Sequence, residues 1–140
     1  MAQPLDPIAL GLPHREPFVF VDSVSELIPG ERATGQKTFA ESDPMFSGHF
    51  PGDPIVPGVI LTEALAQLAG IAAGKTGRAL RLAAIKSMKF PSAARPGEQI
   101  ALTARLSGAV GSLVQCAVEA RVVDRLVAEG VIVLAEPPAA

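Results

Sequence analysis

Apolar and polar positions alternate in several segments of the chain, and this pattern predicts strands. Two such segments, residues 18–24 and 32–39, flank a turn at residues 28–31. The stretch 40–57 then contains four prolines and two glycines, which excludes regular structure and predicts a long, functional loop. Further alternating segments, separated by turns at 95–98, 108–112 and 124, predict antiparallel strands at residues 82–90, 99–107, 113–123 and 125–134.

A long helix is predicted for residues 58–74, which begin after Pro57 and end with a glycine. Only Thr62, Glu63 and Gln67 are polar before its last turn. A helix that is apolar on nearly all sides must be enclosed, and one helix among many strands is enclosed by a sheet. The predicted fold is therefore α+β, with a curved antiparallel sheet wrapped around one long central helix.

The length and composition of the chain predict one domain that associates with copies of itself. Proline and glycine fall singly and form no linker, so residues 1–140 are read as one domain, with flexible ends at 1–11 and 135–140. Apolar residues make up 49% and charged residues 19%, with a mean hydropathy of +0.36. That leaves less charge than usual to coat a monomer, so we expect a homo-oligomer.

Composition also argues against several partners and compartments. A net charge of −2, the lack of a basic run and the absence of Trp and Tyr argue against nucleic acid. Residues 1–12 lack Lys and Arg and contain Pro4 and Pro7, so no signal peptide is indicated and a cytoplasmic location is expected. The most apolar region, residues 55–73, is interrupted by polar residues such as Glu63, so no membrane span is expected.

The chain offers little for metal or cofactor binding. His14 and His49 are the only histidines and neither has a ligand-spaced partner, so no metal is predicted. No glycine pattern for phosphate or dinucleotide binding occurs, so no cofactor is predicted. Cys116 is the only cysteine, which excludes an intrachain disulfide, and the alternation of residues 113–123 places it in the core.

Glu63 is a candidate acid/base residue because it lies on the predicted apolar helix. Gln67 follows it by one turn and Val59 precedes it by one turn, so the three side chains share a face. Apolar surroundings disfavour the charged carboxylate, which suits a general acid or base near neutral pH. The structural alternative is that Glu63 faces solvent or only hydrogen-bonds Gln67, and the helix pattern alone leaves both open.

His49, in the predicted loop, is the second candidate. Imidazole is the commonest side chain for moving a proton at physiological pH. Pro51, Pro54 and Pro57 restrict the backbone and can hold His49 against the helix start with little loss of entropy on folding. The alternative is a loop histidine with no chemical task.

Gly58, at the first helical turn, is a candidate for stabilising a negatively charged oxygen. Its backbone N–H has no partner within the helix, the helix dipole lies behind it, and no side chain blocks an approaching group. The alternative is a glycine that permits tight packing under the sheet, and both readings can hold together.

Residues 48–67 resemble the signature of the β-hydroxyacyl-acyl-carrier-protein dehydratases of fatty acid synthesis. That signature runs G-H-F-P-G-x-P-x-x-P-G-V-x-x-x-E-A-x-A-Q, and every specified letter is present. The likeness extends from about residue 12 to 134 and includes Leu-Pro-His-Arg at 12–15, Met-Lys-Phe at 88–90 and Pro-Gly-Glu at 96–98. It implies the hot-dog fold, whose element order agrees with the pattern above. The glutamate, where a related branch carries aspartate, resembles the dehydratase-only branch.

The resemblance implies a homodimer with shared active sites, and it allows a trimer of dimers. His49 of one subunit would withdraw the proton beside a thioester carbonyl, and Glu63 of the other would protonate the departing hydroxyl. Gln67 would orient Glu63. The substrate-binding residues would be Gly58, Val59, Phe50 and Gln67. The partner would be acyl carrier protein bearing a (3R)-3-hydroxyacyl thioester, converted to the trans-2-enoyl thioester without metal or redox cofactor.

Two departures from the family pattern bear on the carrier protein. Residues 16–18 read Glu-Pro-Phe where the family has Tyr-Pro-Phe, and residues 91–94 replace a pair of basic residues. Because the carrier is acidic, the missing charges bear on carrier contact and on chain-length preference. One alternative is a hot-dog acyl thioesterase, but His49 and Glu63 suit an elimination better than a hydrolysis. The other is a non-catalytic acyl-binding or assembly module, which would be expected to have lost His49 or Glu63.

Overall fold

A long helix and six strands make up most of the regular structure in the computed structural model, which describes residues 3–74 and 80–137. Helix α1 spans Gly58–Ala72, and a single 3-10 turn spans Pro44–Ser47. The strands are β1 (Ser23–Ile28), β2 (Arg32–Thr38), β3 (Arg81–Lys89), β4 (Gln99–Val110), β5 (Leu113–Val122) and β6 (Arg125–Ala135).

The strands of the described residues form one sheet in the order β1-β2-β4-β5-β6-β3, with every neighbouring pair antiparallel. Helix α1 contacts all six of these strands, so the sheet curves around it. Strands β1 and β3 are the two edges of the sheet. This is the hot-dog fold, and it confirms the predicted α+β architecture of a curved antiparallel sheet around one central helix.

The burial of α1 follows from its apolar sequence. Ten of its fifteen residues are buried, so little of the helix faces solvent. Pro57 precedes the helix with φ −58°, which suits the start of a helix because proline restricts that angle. At the other end, the N–H of Gly30 donates to the carbonyl of Ala72 at 2.8 Å and ties the β1–β2 turn to the helix. The helix ends two residues before the predicted position 74.

Gly35 allows β2 to lie close to both β1 and the helix. A Cβ at this position would lie 2.6 Å from the carbonyl oxygen of Ser23 and 3.3 Å from Cδ1 of Leu68. A larger residue would force the backbone of one of these elements to move, which overpacked cores tolerate poorly.

The predicted strand at residues 18–24 is wrong for its first five residues, because β1 begins only at Ser23. The backbones of Phe18 and Phe20 instead hydrogen-bond to the side chain of Gln67. The valines of this segment are nevertheless buried. At Val19 and Val21 the alternation therefore reflects burial in the core, whereas pairing with β2 begins only at the end of the segment.

The loop at residues 40–57 is present, but the prediction that it lacks regular structure is wrong for Pro44–Ser47. These residues form a 3-10 turn whose first N–H groups need partners outside the turn. The carboxylate of Asp43 accepts a hydrogen bond from the N–H of Met45 at 3.0 Å and provides one such partner. Proline is tolerated at the first position because its missing N–H would have no partner there.

The strands after the helix agree closely with the alternation pattern. Strand β4 continues to Val110, three residues beyond the predicted end, because the turn is made by Gly111 with φ +60°. Strands β3, β5 and β6 match their predicted bounds to within one residue at each end. Cys116 on β5 is fully buried, as predicted, and burial raises the pKa of its thiol to about 11.

The ends of the chain are described only in part. Leu5 exchanges two backbone hydrogen bonds with Val24, at 2.8 and 2.9 Å, so this part of the leading segment lies against β1. Residues 1–2 and 138–140 of the predicted flexible ends lie outside the described residues. Within the described parts of the chain, no helix is long and apolar enough to cross a membrane. The cytoplasmic location stays a prediction.

Candidate active site

Gln67 holds Glu63 in place on one face of α1. Gln67 is only 2% exposed, and its Nε2 donates hydrogen bonds to Oε2 of Glu63 at 3.0 Å and to the carbonyl of Phe18 at 3.1 Å. Its Oε1 accepts a hydrogen bond from the N–H of Phe20 at 2.8 Å. The amide therefore satisfies both its donor and acceptor groups, and it contacts the Glu63 carboxylate on the shared helix face that the i, i+4 spacing predicts.

His14 is the other neighbour of the Glu63 carboxylate. Its Nε2 lies 3.5 Å from Oε2 of Glu63, and the two side chains are 29% and 22% exposed. From the sequence, His14 is a candidate only for metal binding and no role is predicted for it, because positions so far apart in the chain carry no signal of contact. The Leu-Pro-His-Arg stretch at 12–15 is the one feature that could have drawn attention to it.

His49 sits in a loop that fixes both its backbone and its ring. Its N–H donates to the carbonyl of Met45 at 3.0 Å, and its carbonyl accepts from the N–H of Ile55 at 3.0 Å. Its Nδ1 lies 3.1 Å from the carbonyl oxygen of Ile55. Because a carbonyl can only accept, we assign the ring proton to Nδ1. Nε2 then carries a free lone pair and can accept a proton.

Arg95 braces the loop between His49 and the helix. Its guanidinium pairs with Asp53 at 2.6 Å and donates to the carbonyl of Pro54 at 3.2 Å. The neighbouring carbonyl of Ala94 accepts from the N–H of Val56 at 2.8 Å. Arg95 is the first positively charged residue after residues 91–94, where the family carries a pair of basic residues, and it is engaged in holding the loop.

Gly58 opens α1, so its N–H has no acceptor one turn earlier in the helix. A Cβ at this position would lie 3.0 to 3.2 Å from three ring carbons of Phe90. The packing reading of Gly58 therefore holds, and it is compatible with a role for the N–H. Val59 and Phe50 are 76% and 50% exposed, so both face outward from the single chain.

The structure joins Glu63 to Gln67 and His14, but it does not join Glu63 to His49. Among residues 3–74 and 80–137, no hydrogen bond or ion pair connects the two predicted catalytic groups within one chain. A cavity of about 190 Å³ lies beside Glu63, lined by His14, Gln67 and the start of β3. In that same part of the chain, no three His, Cys, Asp or Glu residues lie close enough together to hold a metal ion.

Comparison with known proteins shows the family to which this chain belongs. A model of the FabA-like domain matches residues 12–131. The chain belongs to the FabA-like domain family. This FabA-like chain is 38% identical over 128 residues to the 3-hydroxyacyl-[acyl-carrier-protein] dehydratase FabZ of Chloroflexus aggregans, covering 89% of each protein. It is 41% identical over 123 residues to the FabZ of Ruminiclostridium cellulolyticum, covering 85% of this chain and 87% of that one.

A solved structure resembles the FabA-like chain in fold. The dehydratase heterocomplex ApeI:P from Xenorhabdus doucetiae superposes with a TM-score of 0.78, covering 99% of this chain and 93% of that chain. The sequence identity is 18%, so this likeness supports the hot-dog fold alone.

Proposed function

We propose that this FabA-like protein dehydrates (3R)-3-hydroxyacyl thioesters, carried on acyl carrier protein, to trans-2-enoyl thioesters in fatty acid or related acyl-chain biosynthesis. The observation that carries the proposal is the Glu63 carboxylate, which Gln67 holds by one oxygen on a buried helix. The FabZ relatives are named for this reaction and align with most of the chain.

His49 and Glu63 divide the proton transfers of this elimination. Nε2 of His49 removes a proton from the carbon next to the thioester carbonyl, and that electron pair forms the carbon–carbon double bond. The bond to the hydroxyl group breaks, and Glu63 protonates the departing oxygen to give water. The N–H of Gly58 binds the carbonyl oxygen while negative charge develops on it. Return of the proton from His49 to Glu63 restores the enzyme. The elimination of water is neither an oxidation nor a reduction, so no redox cofactor takes part.

The active unit is a homodimer in which His49 of one subunit faces Glu63 of its partner. Strand β3 is an edge of the sheet, and eight of its nine residues are exposed, including Leu82 and Ile85. An exposed apolar edge strand favours pairing with another chain. The start of β3 also lines the cavity beside Glu63, so a copy that pairs there brings its own residues to the carboxylate.

The dehydration assay uses purified protein and (3R)-3-hydroxyacyl thioesters of several chain lengths, on acyl carrier protein and on coenzyme A. Enoyl thioester detected by mass spectrometry supports the proposal. Release of free thiol without enoyl product would instead identify a thioesterase. Binding without either product would identify a non-catalytic acyl-binding module.

A further inference from the structure

The backbone and the ring of His14 are both held by neighbouring residues. Nη1 of Arg15 donates to the carbonyls of Leu12, Pro13 and His14 at 2.9, 3.2 and 2.8 Å, which holds the turn that carries the imidazole. The ring of His14 stacks on the ring of Phe18, with centroids 6.1 Å apart. These contacts place Nε2 of His14 3.5 Å from Oε2 of Glu63.

The other ring nitrogen of His14 indicates which form of the imidazole is present. Nδ1 is buried and has no hydrogen-bond partner among residues 3–74 and 80–137. If both ring nitrogens carried protons, the imidazole would be charged and its buried Nδ1–H would have no acceptor. Burying such a group without a hydrogen bond costs free energy. A proton on Nδ1 alone would leave Nε2 with nothing to donate to the carboxylate. The arrangement therefore favours a neutral ring with its proton on Nε2.

We infer that His14 is a positioning residue for Glu63, an inference that rests on the proposed function. Nε2 of His14 and Nε2 of Gln67 lie 3.5 Å and 3.0 Å from the same oxygen, Oε2. With two donors next to Oε2, Oε1 is left to carry the carboxyl proton that is transferred to the substrate. The 3.5 Å separation from His14 is long for a hydrogen bond, as catalytic hydrogen bonds often are before substrate binds.

The kinetic test compares two substitutions of His14. His14→Phe keeps a ring that stacks on Phe18 but removes the donor, whereas His14→Gln keeps an N–H at nearly the same distance. His14→Phe should lower kcat about 10- to 100-fold, because a catalytic group that is no longer held in position can lose that much in rate, with KM changed less than about threefold. His14→Gln should recover most of that loss. Equal impairment of the two variants would overturn the inference.

A double variant tests whether His14 acts through Glu63. If it does, His14→Phe should slow the enzyme little further once Glu63→Gln has removed the transferable proton. Independent, multiplying effects would show that His14 contributes by another route and would overturn the inference.

Nitrogen-15 NMR of the two imidazoles provides a readout that does not depend on activity. The chain has only two histidines, and His49→Ala, which leaves His14 as the only one, assigns their signals. We expect opposite tautomers at neutral pH, with the proton on Nε2 in His14 and on Nδ1 in His49, and a shift of the His14 signal in Glu63→Gln. A proton on Nδ1 of His14 would overturn the inference even if His14→Phe fails to fold. A wild-type protein that forms no enoyl product would instead refute the proposed function.

Discussion

Gln67 donates a hydrogen bond to Glu63 at 3.0 Å while it binds the backbone of Phe18 and Phe20, two residues from a distant part of the chain. One buried amide thus orients the acid/base candidate and anchors the segment that leads from His14 into β1. We therefore expect both stability and catalysis to depend on this side chain, and the two effects can be measured separately.

Replacing Gln67 with Met should destabilise the fold. The substitution keeps the length of the side chain but leaves the carbonyl of Phe18 and the N–H of Phe20 without partners. Each unsatisfied buried group costs about 1–3 kcal/mol, so the free energy of unfolding should fall by about 2–6 kcal/mol in denaturant titrations. Gln99→Met, at an exposed position, is the matched control and should change it by less than about 1 kcal/mol. Similar effects at both positions would contradict this account.

His49→Ala and Glu63→Gln should each lower kcat by about 10² to 10⁴, because general acid/base groups contribute that much to a rate. Glu63→Gln is the sharper variant, since it keeps the size of the side chain and removes only the transferable proton. Circular dichroism and the unfolding midpoint check that each variant is folded. A Glu63→Gln protein with near wild-type turnover would mean that Glu63 is structural.

Mixing inactive His49→Ala with inactive Glu63→Ala subunits tests the shared site. Random exchange makes half of the dimers mixed, and each mixed dimer has one site with both groups, so about a quarter of wild-type activity should return. Sedimentation of the wild type measures the assembly itself. Full activity from a monomer, or no recovery despite proven exchange, would rule out the two-chain geometry.

Gly58→Ala should fold but lose activity. The added Cβ would contact the Phe90 ring, which is half-exposed and can move. We therefore expect the free energy of unfolding to fall by less than the about 1–3 kcal/mol that overpacking of a core typically costs. Disturbing the first helical N–H should lower kcat/KM by about 10- to 100-fold. Adding Phe90→Leu makes room for the methyl group. If that second change restores turnover, Gly58 is needed only for packing against the ring.

Gly130→Ala should disrupt the pairing of β6 with the edge strand β3. A Cβ at this position would collide with the carbonyl oxygen of Ser87 and the sulfur of Met88. We expect a loss of about 1–3 kcal/mol in unfolding free energy and a weaker dimer, measured by denaturant titration and by sedimentation at several concentrations. Gly108→Ala, in β4, is the control because nothing lies within 4 Å of its Cβ. A dimer of wild-type affinity in Gly130→Ala would argue against pairing along β3.

Cys116 should make the stability of the fold fall at high pH. Burial raises the pKa of its thiol from 9.0 to about 11, so the stability it contributes is present below pH 9 and is lost as the pH rises toward 11. The loss over that range should be about 2–3 kcal/mol. Since the chain has no tyrosine, lysines are the main other groups that titrate there. Cys116→Ala should show a shallower decline, and parallel curves for the two proteins would contradict this prediction.

The helix and the strands could be predicted from the sequence, because their buried residues recur at a regular spacing along the chain. The apolar run of α1 predicts a helix enclosed by a sheet, and the alternation around Cys116 predicts which side of β5 faces the core. The spacing of Glu63 and Gln67 predicts their shared helix face. These features depend on the 3.6-residue period of a helix and the two-residue period of a strand, which are local properties.

Contacts between residues that are remote in the sequence could be known only from the tertiary structure. Phe18 and Phe20 lie in an alternating segment, yet their backbones bind Gln67 and not a strand. The contact of His14 with Glu63 joins positions that no periodicity links. The order of the strands in the sheet likewise follows from how the curved sheet closes around α1. Such contacts form only after the core has brought remote segments together, so a local pattern carries no record of them.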